Sequence, residues 1–343
     1  GLFDGYDGKS EAGSTAQIAK WLGIPVVLVV DAKSMARSVA AMVQGFERFD
    51  PGVSFAGVIF NYVGSKKHLE YLKESLTGNV NMPCLGGITY EMPVCIPERH
   101  LGLVTSYEHC LSDDTVENLA GMIEKHIDMD SLLSLLPDIE IRPDTIRKRT
   151  VRQCKIGVAM DEAFCFYYQD NLDLLEAFGA ELLFFSPMRD SNLPDDIDGL
   201  YLGGGYPELF AKRLSVNHNL LTQIRKQSIA GMPIYAECGG LMYLSRSIRI
   251  DDNVYPMVGI LPVDTVLEKK PQGLGYIHVE VSETNPFYEK GTLLKGHEFH
   301  YSRLDIPDEA DVKFAFKVLR GRGIDGVRDG ICKYNVLGTY NHM

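Results

Sequence analysis

The sequence predicts an α/β protein built as two parallel-sheet domains. Three observations carry that expectation. At 343 residues the chain is longer than one hydrophobic core usually organises. Continuous apolar runs alternate with segments of helical spacing, and the alternation starts twice. Between the two series, residues 131–153 lose periodicity and hold Pro137, Pro143 and the basic run Arg147-Lys148-Arg149, which is linker composition. The boundary is therefore expected near 148–153, giving domains 1–148 and 153–343. The basic run reads as a solvated hinge in an otherwise acidic chain.

Each element follows from its pattern. Residues 25–30 form an uninterrupted apolar run suited to a central parallel strand buried on both faces, ending at Asp31. Met35, Val39, Met42, Val43 and Phe46 then give helical spacing over 34–49. Residues 55–60 make the next strand, which ends at Asn61. A helix over 68–76, a short strand over 84–88 and a helix over 113–127 complete the first series. The second begins with a strand at 155–159 and a helix at 171–178 closed by Gly179, a natural left-handed cap. Strands follow at 182–185, 199–202 and 233–236, with a helix at 217–230 before the last. Beyond 245 the pattern becomes strand-rich, at 257–261, 276–281 and 312–318.

Composition limits the partners. Hydrophobic residues make up 45% and charged residues 23%, as in ordinary soluble proteins. The formal charge of −12 argues against nucleic acid, whose phosphates need a basic surface. The seven cysteines (84, 95, 110, 154, 165, 238 and 332) are odd in number and include no C-x-x-C pair. A disulfide framework or zinc site is not expected, and a reducing cytoplasm is. No run of eighteen apolar residues occurs, so no membrane span is expected. The chain opens in mid-motif at Gly1-Leu2-Phe3-Asp4-Gly5 and stops abruptly at Met343, which reads as a fragment of a longer protein.

The sharpest signal is Ile234-Tyr235-Ala236-Glu237-Cys238-Gly239-Gly240-Leu241. A strand runs into a cysteine, two glycines follow, and a helix begins at once. That pattern suits a nucleophile elbow, in which a tight turn lifts a thiol clear of the sheet at the positive end of a helix. The helix end is expected to favour thiolate, the reactive form. A buried structural cysteine is the bland alternative, and the paired glycines weigh against it. Upstream, Gly203-Gly204-Gly205 follows a strand and leaves backbone N–H groups unobstructed, as an oxyanion hole requires. Alone, the triplet could equally cradle a phosphate or make a plain turn.

Together these segments resemble the class I glutamine amidotransferase domain of the cobyrinic acid a,c-diamide synthase family. The resemblance extends to residues 161–168, to Gly296-His297-Glu298-Phe299-His300-Tyr301-Ser302, and, in the first half, to residues 1–5, 29–33 and 97–103. It implies an incomplete P-loop-type synthetase domain (dethiobiotin-synthetase-like) followed by a flavodoxin-like amidotransferase domain. It also implies that Cys238 attacks the glutamine amide as nucleophile, with Gly204 and Gly205 as the oxyanion hole. The family's Tyr-x-His segment matches Tyr340-Asn341-His342, making His342 the expected base, with His300 as the alternative.

The same resemblance implies ATP as cosubstrate, Mg2+ as cofactor and a corrin-type tetrapyrrole whose a and c carboxylates are amidated, in cobalamin-type cofactor assembly. A homodimer is one option for assembly. No G-x-x-x-x-G-K-[ST] loop is present: Gly8-Lys9-Ser10 imitates its end, but Phe3 stands where the first glycine belongs. The chain as given is therefore expected to bind ATP weakly. Candidates for ATP or substrate contacts are Asp4, Asp31, Lys33, Arg37, Asn61 and Arg99, with Asp4 also a candidate magnesium ligand. Capping or turn roles account for Asp31 and Asn61 equally well. The alternatives are a cobyric acid synthase-like amidation of other corrin carboxylates, a non-catalytic amidotransferase-like scaffold, and a plain cysteine hydrolase.

Overall fold

The computed structural model describes residues 1–90, 111–138 and 153–343, with the backbone of 98–99 and 102–103. The Arg99 side chain, most of the 97–103 motif and the Arg147-Lys148-Arg149 run lie outside the described residues. The chain divides into two compact units, Gly1–Arg142 and Pro143–Met343.

In the first unit, α1 (Thr15–Leu22) is capped by the Ser14 hydroxyl and closed by Gly23 at φ 64°. There follow β1 (Val26–Asp31), α2 (Ser38–Phe49), β2 (Phe55–Val63), α3 (Lys66–Leu76) and β3 (Cys84–Thr89). Two short strands, β4 (Glu98–Arg99) and β5 (Gly102–Leu103), pair with each other ahead of α4 (Asp113–His126) and α5 (Met129–Ser134). Strands β1, β2 and β3 form a parallel sheet in that order. Val30, Val58 and Phe60 from the sheet pack with Val39, Val43 and Leu72 from α2 and α3. Helix α2 starts four residues after the expected position, because Ser34 adopts a left-handed φ of 59° and the chain turns there first. Gly8-Lys9-Ser10 forms a turn wrapped on Asp7, whose Oδ1 accepts the N–H groups of Lys9 and Ser10 at 2.8 Å.

The second unit holds β6 (Cys154–Ala159), α6 (Gln169–Ala177), β7 (Ala180–Phe185), β8 (Gly199–Leu202), α7 (Ala211–Ser215), α8 (His218–Ile229), β9 (Ile234–Glu237) and α9 (Gly239–Leu244). It continues through β10 (Ser247–Ile250), β11 (Asn253–Pro256), β12 (Asp264–Leu267), β13 (Gly273–Val281) and β14 (Leu293–His300). The last elements are β15 (Ser302–Asp305), β16 (Lys313–Arg320), β17 (Arg328–Lys333) and β18 (Val336–Thr339). Nine strands form one sheet in the order β14-β13-β16-β17-β18-β9-β8-β6-β7. The segment from β18 to β7 is parallel, while β14 to β18 pair antiparallel. A second sheet of four strands runs β11-β10-β12-β15.

The strand expected over 257–261 is absent. The N–H groups of Met257, Val258, Gly259, Ile260 and Leu261 donate instead to carbonyls of residues 243–246, so the segment folds over the end of α9. Its apolar side chains are buried in the core there, which gives the run a hydrophobic signature without a ladder.

Candidate active site

Strand β9 delivers Cys238 to a sharp corner. The residue sits at φ 45°, ψ −95°, a left-handed conformation that costs a side-chain-bearing residue energy and is tolerated only where the surroundings enforce it. Two hydrogen bonds hold the corner: Cys238 N–H donates to Thr339 O at 2.7 Å, and Gly240 N–H to Gly203 O at 3.1 Å. A Cβ on Gly240 would collide with Leu202 O, and one on Gly239 would stand 3.1 Å from Gly205 N and 3.0 Å from Pro207 Cδ. The glycines expected on sequence grounds thus follow from close approach of the chain, Gly240 to the end of β8 at Leu202 and Gly239 to the Gly203–Gly205 loop.

That loop is fixed from behind. The Gly203 N–H donates to Tyr167 Oη at 2.8 Å, and Gly204 O accepts the N–H groups of Cys165 and Phe166 at 3.1 Å. Asp161, fully buried, accepts N–H groups of Ala163, Phe164 and Met188 and the Ser186 hydroxyl, shaping the 161–168 turn against the loop. The Gly203 amide is therefore committed to the fold. The two glycines singled out as amide donors, Gly204 and Gly205, lie on the side of the loop that meets the nucleophile turn.

His342 reaches the same place from another strand. β18 runs parallel to β9 with Thr339 opposite Glu237, so the residues after both strands emerge side by side. The backbone of His342 bonds reciprocally with His297, at 2.8 and 3.1 Å, and the two rings stack at 4.8 Å. The His342 ring lies against Gly204: a Cβ there would fall 3.2 Å from Nδ1 and 3.4 Å from Nε2, and nearer still to Cε1. Buried Asp329 aligns this stretch, accepting from Thr339 Oγ1 at 2.8 Å, Gly330 N at 2.7 Å and Tyr340 N at 3.2 Å. His300 is placed differently. Its Nδ1 meets Ser302 O at 2.7 Å, and its ring stacks on Tyr340 at 3.7 Å.

Electrostatics correct one expectation. Cys238 is 6% exposed, and burial, followed by Glu208 and Glu237, pushes its thiol far up; the Gly239 N–H works in the opposite direction without prevailing. The resting form is thiol, not the thiolate expected from the helix end. Helix α9 has only six residues, and desolvation outweighs so short a dipole. Burial, with His297 and His300 nearby, lowers His342 to about 3, so its imidazole is neutral and able to accept a proton. Glu237 is raised by burial to about 7.

In the first unit the structure brings Asp31 and Asn61 together as register partners, Asp31 at the end of β1 and Asn61 inside β2, which continues to Val63 and not only to the expected end at Asn61. Each also serves locally: Asp31 Oδ1 accepts the Lys33 N–H at 2.8 Å, and Asn61 Oδ1 the Tyr62 N–H at 3.0 Å. The Lys33 ammonium stands 6.0 Å from the Tyr90 ring centre, and Arg37 precedes α2. Asp4 is 87% exposed. Among the described residues no group of three or more His, Cys, Asp or Glu side chains is arranged to hold a metal ion. Sequence reasoning missed Glu237, Tyr167, Tyr201, Tyr235 and Asp329. Glu237 and Tyr235 stood in the nucleophile motif and Tyr167 in the 161–168 run, while Tyr201 and Asp329 gave no local signal.

Residues 155–343 match the family model of the CobB/CobQ-like glutamine amidotransferase domain. A cobyrinate a,c-diamide synthase of Leptospira interrogans is 42% identical over 346 residues, covering 100% of this chain and 75% of the relative. One of Caldanaerobacter subterraneus is 47% identical over 309 residues, covering 89% and 68%. One of Methanosarcina acetivorans is 42% identical over 371 residues, covering 100% and 74%. These relatives exceed 40% identity across most of both sequences, and the chain belongs to the cobyrinate a,c-diamide synthase family, with a CobB/CobQ-like glutamine amidotransferase domain at residues 155–343.

Proposed function

We propose that this chain strips ammonia from glutamine at Cys238 and serves the ATP-driven amidation of the a and c carboxylates of cobyrinic acid, its hydrogeno form or a nickel-containing relative. The observation that carries the reading is the shared corner: a left-handed Cys238 after β9, the Gly204–Gly205 amides against its turn, and the His342 ring over Gly204. Neutral His342 takes the thiol proton as sulfur attacks the amide carbon of glutamine. The N–H groups of Gly204 and Gly205 stabilise the oxyanion. The imidazolium returns its proton to the leaving nitrogen, ammonia departs, and a γ-glutamyl thioester remains. Water, deprotonated by His342, then releases glutamate and restores the thiol.

The first unit is assigned the synthetase role, with ATP phosphorylating the ring carboxylates and ammonia displacing phosphate. Asp31, Asn61, Lys33 and Arg37 are the described candidates for contacts to nucleotide or substrate, and Asp4 or Asp31 for a magnesium ion carried in with the phosphates. The setting is the cytoplasm, and the partners are glutamine, ATP and the tetrapyrrole. Glutamate release from glutamine by the wild-type chain and by Cys238→Ser tests the reading. Release by the first and none by the second is expected. Equal rates, or silence from both, would refute it.

A further inference from the structure

Glu237 takes no part in the steps above, yet the site is built around it. Its side chain is buried and receives Tyr235 Oη at 3.0 Å and Met343 N–H at 3.2 Å on Oε1, and Tyr201 Oη at 3.3 Å on Oε2. Oε2 also stands 3.8 Å from His342 Nδ1. Three neutral donors aim the carboxylate, and its remaining approach faces the imidazole. The parallel register of β9 and β18 produces this contact between residues 105 positions apart.

We propose that Glu237 is a positioning residue for His342: its Oε2 holds the ring with Nδ1 toward the carboxylate, leaving Nε2 for the proton of Cys238, and balances the imidazolium once that proton arrives. The proposal rests on the reading of Cys238 and His342 given above. At 3.8 Å the contact is an ion pair in waiting rather than a hydrogen bond, and it tightens when the ring becomes charged. The facing groups are Tyr201, Tyr235 and Tyr288 beside Glu237, and His297 and His300 beside His342, with Cys238 next in the chain. Burial keeps the three tyrosines as phenols. Burial raises Glu237 to about 7, inside the pH window of the test below.

The test measures kcat and KM for glutamate release between pH 5 and 9 in wild type, Glu237→Gln, Glu237→Asp and Cys238→Ser. Gln keeps one acceptor oxygen, for Tyr235 and the Met343 N–H, and loses the charge and the acceptor that faces Tyr201; kcat is expected to fall about 10²- to 10³-fold, with KM changed less than roughly threefold and the acid limb displaced. Asp restores at least about tenfold of that loss. A Gln variant with wild-type kcat and an unmoved acid limb overturns the proposal, as does one that raises KM alone. Should Gln prevent folding, judged by near-UV circular dichroism, Asp decides: a displaced acid limb supports the role, and a wild-type profile removes it. A silent Cys238→Ser beside an unaffected Gln variant sinks only the positioning role. A Cys238→Ser variant as active as wild type sinks the reading of the site itself.

Discussion

Gly204→Ala probes the site with a single methyl group. The would-be Cβ lies 3.2 Å from His342 Nδ1 and 3.4 Å from Nε2, and closer still to Cε1. A normal carbon–carbon contact is about 3.5–4.0 Å, so the ring must retreat by about 1 Å. His342 cannot swing freely, because its backbone is bonded to His297 on both sides and its ring stacks on that histidine. Displacement by about 1 Å typically costs about 10²-fold in rate, and overpacking costs about 1–3 kcal/mol. For a unit of this size that energy lowers Tm by roughly 2–12 °C. The assay is enzymatic measurement of glutamate released from glutamine, alongside a thermal melt. A loss of about 10²-fold with an intact fold is expected. Gly204 has no left-handed φ, so backbone strain does not contribute. A Gly204→Ala variant within twofold of wild type would refute the placement of His342 as the base.

Other consequences are as direct. Without glutamine, iodoacetamide should modify Cys238 much more slowly than an unfolded control at pH 7, because the thiol is buried and pushed up; mass mapping of the alkylated peptide checks this, and rapid labelling would show an exposed thiolate. Asp329 is raised by burial from its ordinary 3.8 to about 6. The stability linked to that shift is therefore whole below about pH 4 and lost as pH rises through about 6. The loss is on the order of 3 kcal/mol, and Asp329→Asn should remove that slope in urea titrations from pH 4 to 8. Tyr340→Phe leaves the buried Ser302 hydroxyl without the Tyr340 Oη found at 2.8 Å, so destabilisation of about 1–3 kcal/mol is expected by denaturant midpoint.

Much of this protein was legible along the chain because the signals were local. The strands at β1 and 199–202 and the Cys238-Gly239-Gly240 corner declare themselves within a few residues, since apolar runs and glycine's missing Cβ act at short range. The central, doubly buried place expected for β1 was wrong, because among the described residues β1 is an edge strand with Val29 61% exposed. The Gly203–Gly205 loop and the Tyr340-Asn341-His342 segment were visible as motifs. Where an apolar run had two ways to be buried, as at 257–261, pattern alone chose wrongly, because hydrophobicity records burial and not the ladder that accompanies it.

Only the tertiary structure decided what meets what. Glu237 and His342 become neighbours because β18, late in the chain, docks parallel to β9, and no local preference specifies that pairing. The same packing fixed the charge state of the nucleophile. Sequence placed Cys238 at a helix start, which favours thiolate, whereas the surrounding core removed water and favoured thiol. Desolvation depends on every neighbour at once, and those neighbours come from distant parts of the chain.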